Sequence, residues 1–256
     1  MLIFTRKVFR SIKHIFMTKK ICFFLLIALH IGCKSVTVNN QLQRTTTAPV
    51  ELGTIGLHED YYPYDRFTIT TTPKLDRKVR VKAVKHTFNK RKFNAYENTS
   101  PYNRMQLQYI DSLPDKPEYI ALELIDHVNH TAMLNEDPDL LDYLKTRTGA
   151  FMVTSVAAAL HGVHVQAISN AESVFLVYDP DISKYYLEIN NRDKTILKVR
   201  MEDMDIFAYG LSFFCWGENP RHRLEIKDIV EEDQRCPAGT YKKASKVKKK
   251  VNYFKL

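Results

Sequence analysis

Apolar and polar residues alternate along most of this chain, and that period of two limits its fold more than any other feature. In "KVRVKAV", Val79, Val81 and Ala83 share one face of an extended segment, while Lys78, Arg80 and Lys82 share the other. "MQLQYI" sets Met105, Leu107 and Tyr109 against Gln106 and Gln108. "YIALELI" sets Ile120, Leu122 and Leu124 against Ala121 and Glu123, and "YYLEIN" sets Tyr185, Leu187 and Ile189 against Tyr186 and Glu188. "LKVRM" and "RLEIK" repeat the scheme. Each pattern predicts a half-buried strand. "AFMVTSV" and "SVFLVY" are more continuously apolar and are expected to be central strands, and "YDPDISK" and "NNRD" have the turn chemistry of hairpins.

Helical signal is scarcer. In "NEDPDLLDYLKTRTG", Asp137 is placed to cap, Pro138 fits the first turn, and Leu140, Leu141 and Leu144 share a face. A weaker helix is expected over Val165–Ala171. Many antiparallel-type strands with one or two short helices predict a mainly β or α+β fold, an antiparallel β-sandwich-like domain. There is no βαβ alternation and no glycine-rich phosphate loop, which excludes the usual nucleotide-binding α/β folds.

The net charge of +9 divides unevenly over the 256 residues. Residues 1–32 hold six Lys/Arg and no acid, and residues 241–256 hold seven lysines and no acid. The remaining segment carries 25 bases against all 29 acids. The body is therefore mildly acidic, and the basic overall charge is no sign of nucleic-acid binding. Within it, Lys74–Lys92 holds nine bases and one acid, expected to be the solvated outer face of a strand.

Lys19 and Lys20 precede nine apolar residues, Ile21–Leu29. A spanning helix needs about 20 apolar residues, so this run is too short, and it fits the core of a secretory signal. Met17 opens a compact basic head, "MTKK", and is the expected true start of a signal ending at residue 32. The run closes on "HIGC", which resembles the lipobox of bacterial lipoproteins: Gly32 and Cys33 match it, and His30 stands where leucine is usual. The resemblance covers residues 17–33. It implies that Cys33 becomes the first mature residue and carries acyl chains. Lys34 after it, rather than aspartate, implies the outer membrane by analogy with lipoprotein sorting. Residues 34–50 are rich in Thr, Asn and Gln and are expected to be a flexible tether before a single domain over 51–240.

With Cys22 in the signal and Cys33 acylated, Cys215 and Cys236 remain, an even pair expected to form a disulfide in an exported protein. No cysteine zinc set remains. "HVNH" (His127, His130) and "HGVH" (His161, His164) lack the Glu of a metalloprotease motif and end strand-like runs, where residues three apart point to opposite faces, so no metal or cofactor is expected. "NEDPD" and "YDPD" lack the ligand spacing of a calcium loop. No GxSxG occurs.

The C-terminus spaces Tyr241, Ala244, Val247, Val251 and Phe254 three or four residues apart, with Lys242, Lys243, Lys246, Lys249 and Lys250 on the other sides. As a helix it would be a basic amphipathic segment suited to anionic membrane or anion contact. The expectation is a lipid-anchored cell-envelope protein with a non-enzymatic binding or assembly role. It would meet the membrane through its acyl chains, and anionic lipid or an envelope protein as partner. The alternative is an envelope hydrolase of glycan or peptide.

Overall fold

Val81, Leu122 and Leu124 are buried side by side because β5 (Val79–Thr87) and β6 (Glu118–Leu124) pair antiparallel, with Val81 opposite Leu124 and Ala83 opposite Leu122. The computed structural model describes residues 35–46, 48–61, 64–99, 105–192 and 194–247. Its other strands are β1 (Ser35–Val38), β2 (Gln41–Thr45), β3 (Ile55–Tyr61), β4 (Tyr64–Thr71), β7 (Ala150–Ala159), β8 (Ser173–Asp179), β9 (Lys184–Asn191), β10 (Lys194–Arg200), β11 (Asp205–Glu218) and β12 (Leu224–Glu231). The helices are α1 (Lys90–Glu97), α2 (His127–Glu136), α3 (Pro138–Thr146) and α4 (Gly162–Ser169). The strands join in the order β1-β2-β11-β7-β6-β5-β8-β9-β10, with β12 branching from β11, and β3 with its partner β4 branching from β7. Every described pairing between strands is antiparallel. The fold is therefore the mainly antiparallel α+β class expected from the alternation.

Two cores explain which strands are buried on both faces. The larger holds Ile120, Leu122, Val156 and Leu187 and takes in Met133 of α2, Leu141 of α3 and Ile168 of α4. The smaller lies under α1 and is aromatic: Phe88, Phe93, Tyr96, Tyr119 and Phe207. Alanines at 121, 157, 159 and 208 floor it. Small side chains on the sheet make room for rings above, and the rings pack at centroid distances of 4.8–5.7 Å around Phe88. Both faces of β7 are thus covered, and all ten of its residues are buried.

Several sequence expectations need correction. The tether does not exist over Ser35–Thr45: β1 and β2 form a hairpin whose Asn39 and Asn40 have φ of 49° and 65°. Asn tolerates that left-handed region, and two such residues make the turn that suits tight hairpins. The composition misled because the hairpin edges the sheet and wets one face, with Val36 and Val38 buried beneath α1. "MQLQYI" forms no ladder. Met105 N donates to Asp205 Oδ2 at 2.7 Å, and Met105, Leu107 and Tyr109 turn toward the aromatic core, so the alternation reports facing alone. "SVFLVY" lies between β5 and β9 yet alternates buried and half-buried residues.

There are four α-helices among the described residues rather than one or two. α3 forms as expected, with Asp137 Oδ1 accepting from Leu140 N at 3.0 Å. The weak helix begins earlier, at Gly162. Over residues 241–247 the C-terminus is not α-helical: Tyr241 forms a β-bridge with Trp216 and Ala244–Lys246 is a 3-10 turn. Ala244 and Val247 pack on the main core.

At Gly56 in β3, a Cβ would lie 2.3 Å from the Thr68 carbonyl and 2.6 Å from the Phe67 ring. Backbone cannot yield cheaply there, so Gly56→Ala is expected to cost about 2 kcal/mol by overpacking, read as a lower urea midpoint at unchanged slope.

Candidate functional site, a cleft at a fork in the sheet

One edge of β11 follows β7 from Asp205 to Phe213. Its other edge changes partner. Ala208 and Tyr209 lie opposite Thr45 and Arg44 of β2, whereas Ser212 to Glu218 lie opposite β12. Gly210 and Leu211 fall between these two pairings. There the sheet forks and a cleft of about 240 Å³ opens. β2 contributes Gln41, Leu42 and Arg44 to one wall, and Glu231, Glu232 and Asp233 form the other. Thr154 and Ser155 of β7 also line it, with Tyr209, Gly210 and Leu211 at the fork.

Two local features make the fork. β7 carries a bulge: Gly210 pairs with Ser155 and Leu211 with Val153, leaving Thr154 as the extra residue. Bulges bend a strand and re-aim its side chains. Thr154 Oγ1 lies 2.6 Å from Ser212 Oγ, which satisfies both hydroxyls in the buried wall. At Gly210 a Cβ would fall 2.3 Å from Ser155 Oγ, so glycine permits the close approach of β11 to the floor.

Three carboxylates face one guanidinium. Arg44 Nη2 lies 2.9 and 3.0 Å from the two oxygens of Glu232 and engages that acid. Gln41 Nε2 donates to Glu231 Oε1. Burial pushes the Glu231 carboxyl up from its ordinary range, and the charges of Asp233 and Glu123 push the same way. The charge of His127 and a hydrogen bond from Gln234 oppose them. Beside the floor, Gln43 is 1% exposed; its Nε2 donates to Ser155 Oγ at 3.1 Å, while its Oε1 is buried without a hydrogen-bond partner. An unmet buried acceptor costs about 1–3 kcal/mol and calls for a donor.

The Cys215–Cys236 disulfide, expected from the sequence, is present, with Cα atoms 5.6 Å apart. It ties the chain three residues past Asp233 to β11 three residues past Ser212, and so braces the acidic wall. Cys33, Lys249 and Lys250 lie outside the described residues, as does the Met17 start. Lys242 is held by its own domain, with Nζ 4.1 Å from the Phe213 ring centroid and 5.5 Å from that of Phe151. Lys243 and Lys246 are exposed.

His127 and His130 lie on α2 and His164 on α4, with His161 at the N-cap position of α4, rather than at strand ends. His130 turns into the core at 1% exposure, while the His127 ring nitrogens approach the carbonyls of Ile229 and Leu124 at 3.1 and 2.9 Å. The His161 side chain makes no capping bond to α4, and its ring meets that of His164 edge-on. Among the described residues no group of three or more His, Cys, Asp or Glu is placed to hold a metal ion. The basic stretch is largely paired: Lys78 with Glu188, Lys82 with Glu123, Lys85 with Glu118, and Lys92 Nζ donating to Tyr119 Oη at 2.7 Å. Asp137 is spent as a helix cap, and Asp179 Oδ1 accepts from Asp181 N in a hairpin turn.

The fork escaped the sequence reading, because its walls come from segments more than 160 residues apart. The run "EED" at 231–233, at the end of a strand and close to a cysteine, was the available signal. Comparison with protein-family models, with curated proteins and with solved structures finds no match, so the cleft is read from its own chemistry.

Proposed function

We propose that this chain is a lipid-anchored protein of a bacterial cell envelope, sited at the outer membrane, whose domain binds a small polar ligand carrying a protonated amine. The cleft supports the reading: three carboxylates, of which Arg44 engages one, form one wall of a space of about 240 Å³. A primary ammonium supplies the charge and the three donors that such a wall lacks. The "HIGC" resemblance supports the anchor at Cys33.

Two measurements test it. Intact mass of protein extracted from membranes is expected to show a chain that begins at an acylated Cys33, and Cys33→Ser is expected to move the domain to the soluble fraction. An unmodified chain that keeps residues 1–32 would contradict the anchor. Binding should also respond to pH with a definite sign. A cation pairs with the carboxylate form of Glu231, whose pKa is raised, so affinity is low in acid and rises as pH climbs through that raised value. Calorimetric titration with ethanolamine, run upward from the ordinary carboxylate value of 4.5 to neutrality, is expected to show that rise, and Glu231→Gln is expected to flatten it and weaken binding roughly tenfold.

One observation favours a second reading. A carboxyl pushed toward its protonated form beside another acid is the pairing that glycosidases use for acid catalysis. Turnover of envelope glycan that Glu231→Gln abolishes would select the hydrolase over the binding module.

A further inference from the structure

The loss of the tether changes where the cleft must lie. Ser35 is already in β1, so only Lys34 separates it from Cys33. Two residue steps span at most about 7 Å however they are arranged. Ser35 lies opposite Arg44 in the hairpin, and antiparallel partners have Cα atoms about 4.5–5.5 Å apart. Arg44 belongs to the cleft wall. An acylated Cys33 therefore holds that wall within about 15 Å of its own acyl chains, a distance comparable to the headgroup layer plus one side chain. The rim is suited to that place. Leu42, which also lines the cleft, is 72% exposed on the edge hairpin that carries the anchor. An exposed leucine there can enter the lipid interface, where burial of its side chain is favourable.

We infer that the cleft opens at the membrane surface and that its occupant is the primary-amine headgroup of a membrane lipid. This rests on the anchor at Cys33 and on the amine reading of the cleft. Glu231 and Asp233 receive the ammonium, and Leu42 sits against the lipid below. A domain on a long tether would sample soluble amines in all orientations. One held two residues from its anchor meets the headgroup layer continuously, at the high effective concentration that tethering gives.

The test uses the acylated full-length mature protein in phosphatidylcholine vesicles, with and without phosphatidylethanolamine. A water-soluble carbodiimide joins a carboxyl to an amine in contact with it, the water lost being taken up by the reagent as a urea. The tryptic peptide Asp228–Arg235 contains all three cleft acids. The expected result is a phosphatidylethanolamine adduct on that peptide at least tenfold above adducts on peptides bearing exposed acids elsewhere, such as Asp139 and Asp142. Glu231→Gln with Asp233→Asn removes it. Adducts spread evenly over surface acids, or none, would overturn the inference. Equal labelling of the same peptide by soluble phosphoethanolamine at matched concentration would overturn the membrane source and leave the cleft an amine site. A membrane-extracted chain without acyl mass would overturn the anchor, and this inference with it.

Discussion

Acidification from pH 7 to pH 3 is expected to cost this domain about 3 kcal/mol through one side chain, His130. The imidazole lies inside α2 against the core, and burial lowers its pKa from 6.5 to about 4, with the charge of His127 acting the same way and Asp126 opposing. The folded value lies below the unfolded one. The contribution is therefore fully present above about pH 6.5 and lost as pH falls through about 4, because the unfolded chain takes up the proton first. His130 Nε2 is also buried without a partner, so replacing the ring by an apolar side chain leaves no stranded donor or acceptor there. His130→Leu is expected to match or exceed the native stability at pH 7 and to open a lead of about 3 kcal/mol at pH 3. Urea titrations at several pH values check this. Parallel pH profiles for the two proteins would contradict the neutral buried imidazole.

The disulfide has the other large effect. Cys215 and Cys236 are 21 residues apart, and closing a loop of that size stabilises by about 3 kcal/mol in the chain-entropy account. Cys215→Ala with Cys236→Ala is expected to lower the melting temperature by about 10 °C. The consequence should not be confined to stability. The segment between the bonded cysteines carries β12 and the three cleft acids, so the acidic wall loses its brace at one end. Ethanolamine binding is expected to weaken at temperatures where the doubly substituted protein is still fully folded. Unchanged affinity there would mean that β12 positions the acids without the covalent tie.

Much of the architecture was legible because the sheet is amphipathic where it meets solvent. β5, β9 and β10 could be read from period two, and α3 from its Asp137–Pro138 start. α1 and α2 were hidden for different reasons. The first turn of α1 is Lys90-Arg91-Lys92, which extends the charge pattern of β5 and carries no acid to mark a helix start. Its Asn89 cap, accepting from Lys92 N at 2.9 Å, was the missed sign. α2 is built from His, Val, Asn and Thr, residues of modest helix propensity, and Asp126 caps it. The β1–β2 hairpin had a readable signature in "VTVNNQLQ", two Asn between alternating segments, which composition alone obscured. The cleft was not legible at all. It depends on β11 exchanging one partner for another, and each partner comes from an opposite end of the domain. No local pattern encodes a long-range exchange of that kind.

The fork between β2 and β12 is proposed here as a binding site for a protonated amine. Two-dimensional amide NMR of the protein, titrated with ethanolamine and separately with N-acetylethanolamine, decides whether it is one. Saturable shifts at Arg44, Gly210, Leu211 and Glu232 with the amine, and none with its neutral amide, are the predicted result. Shifts of equal size with both compounds, or shifts that leave these four residues unmoved, would contradict it.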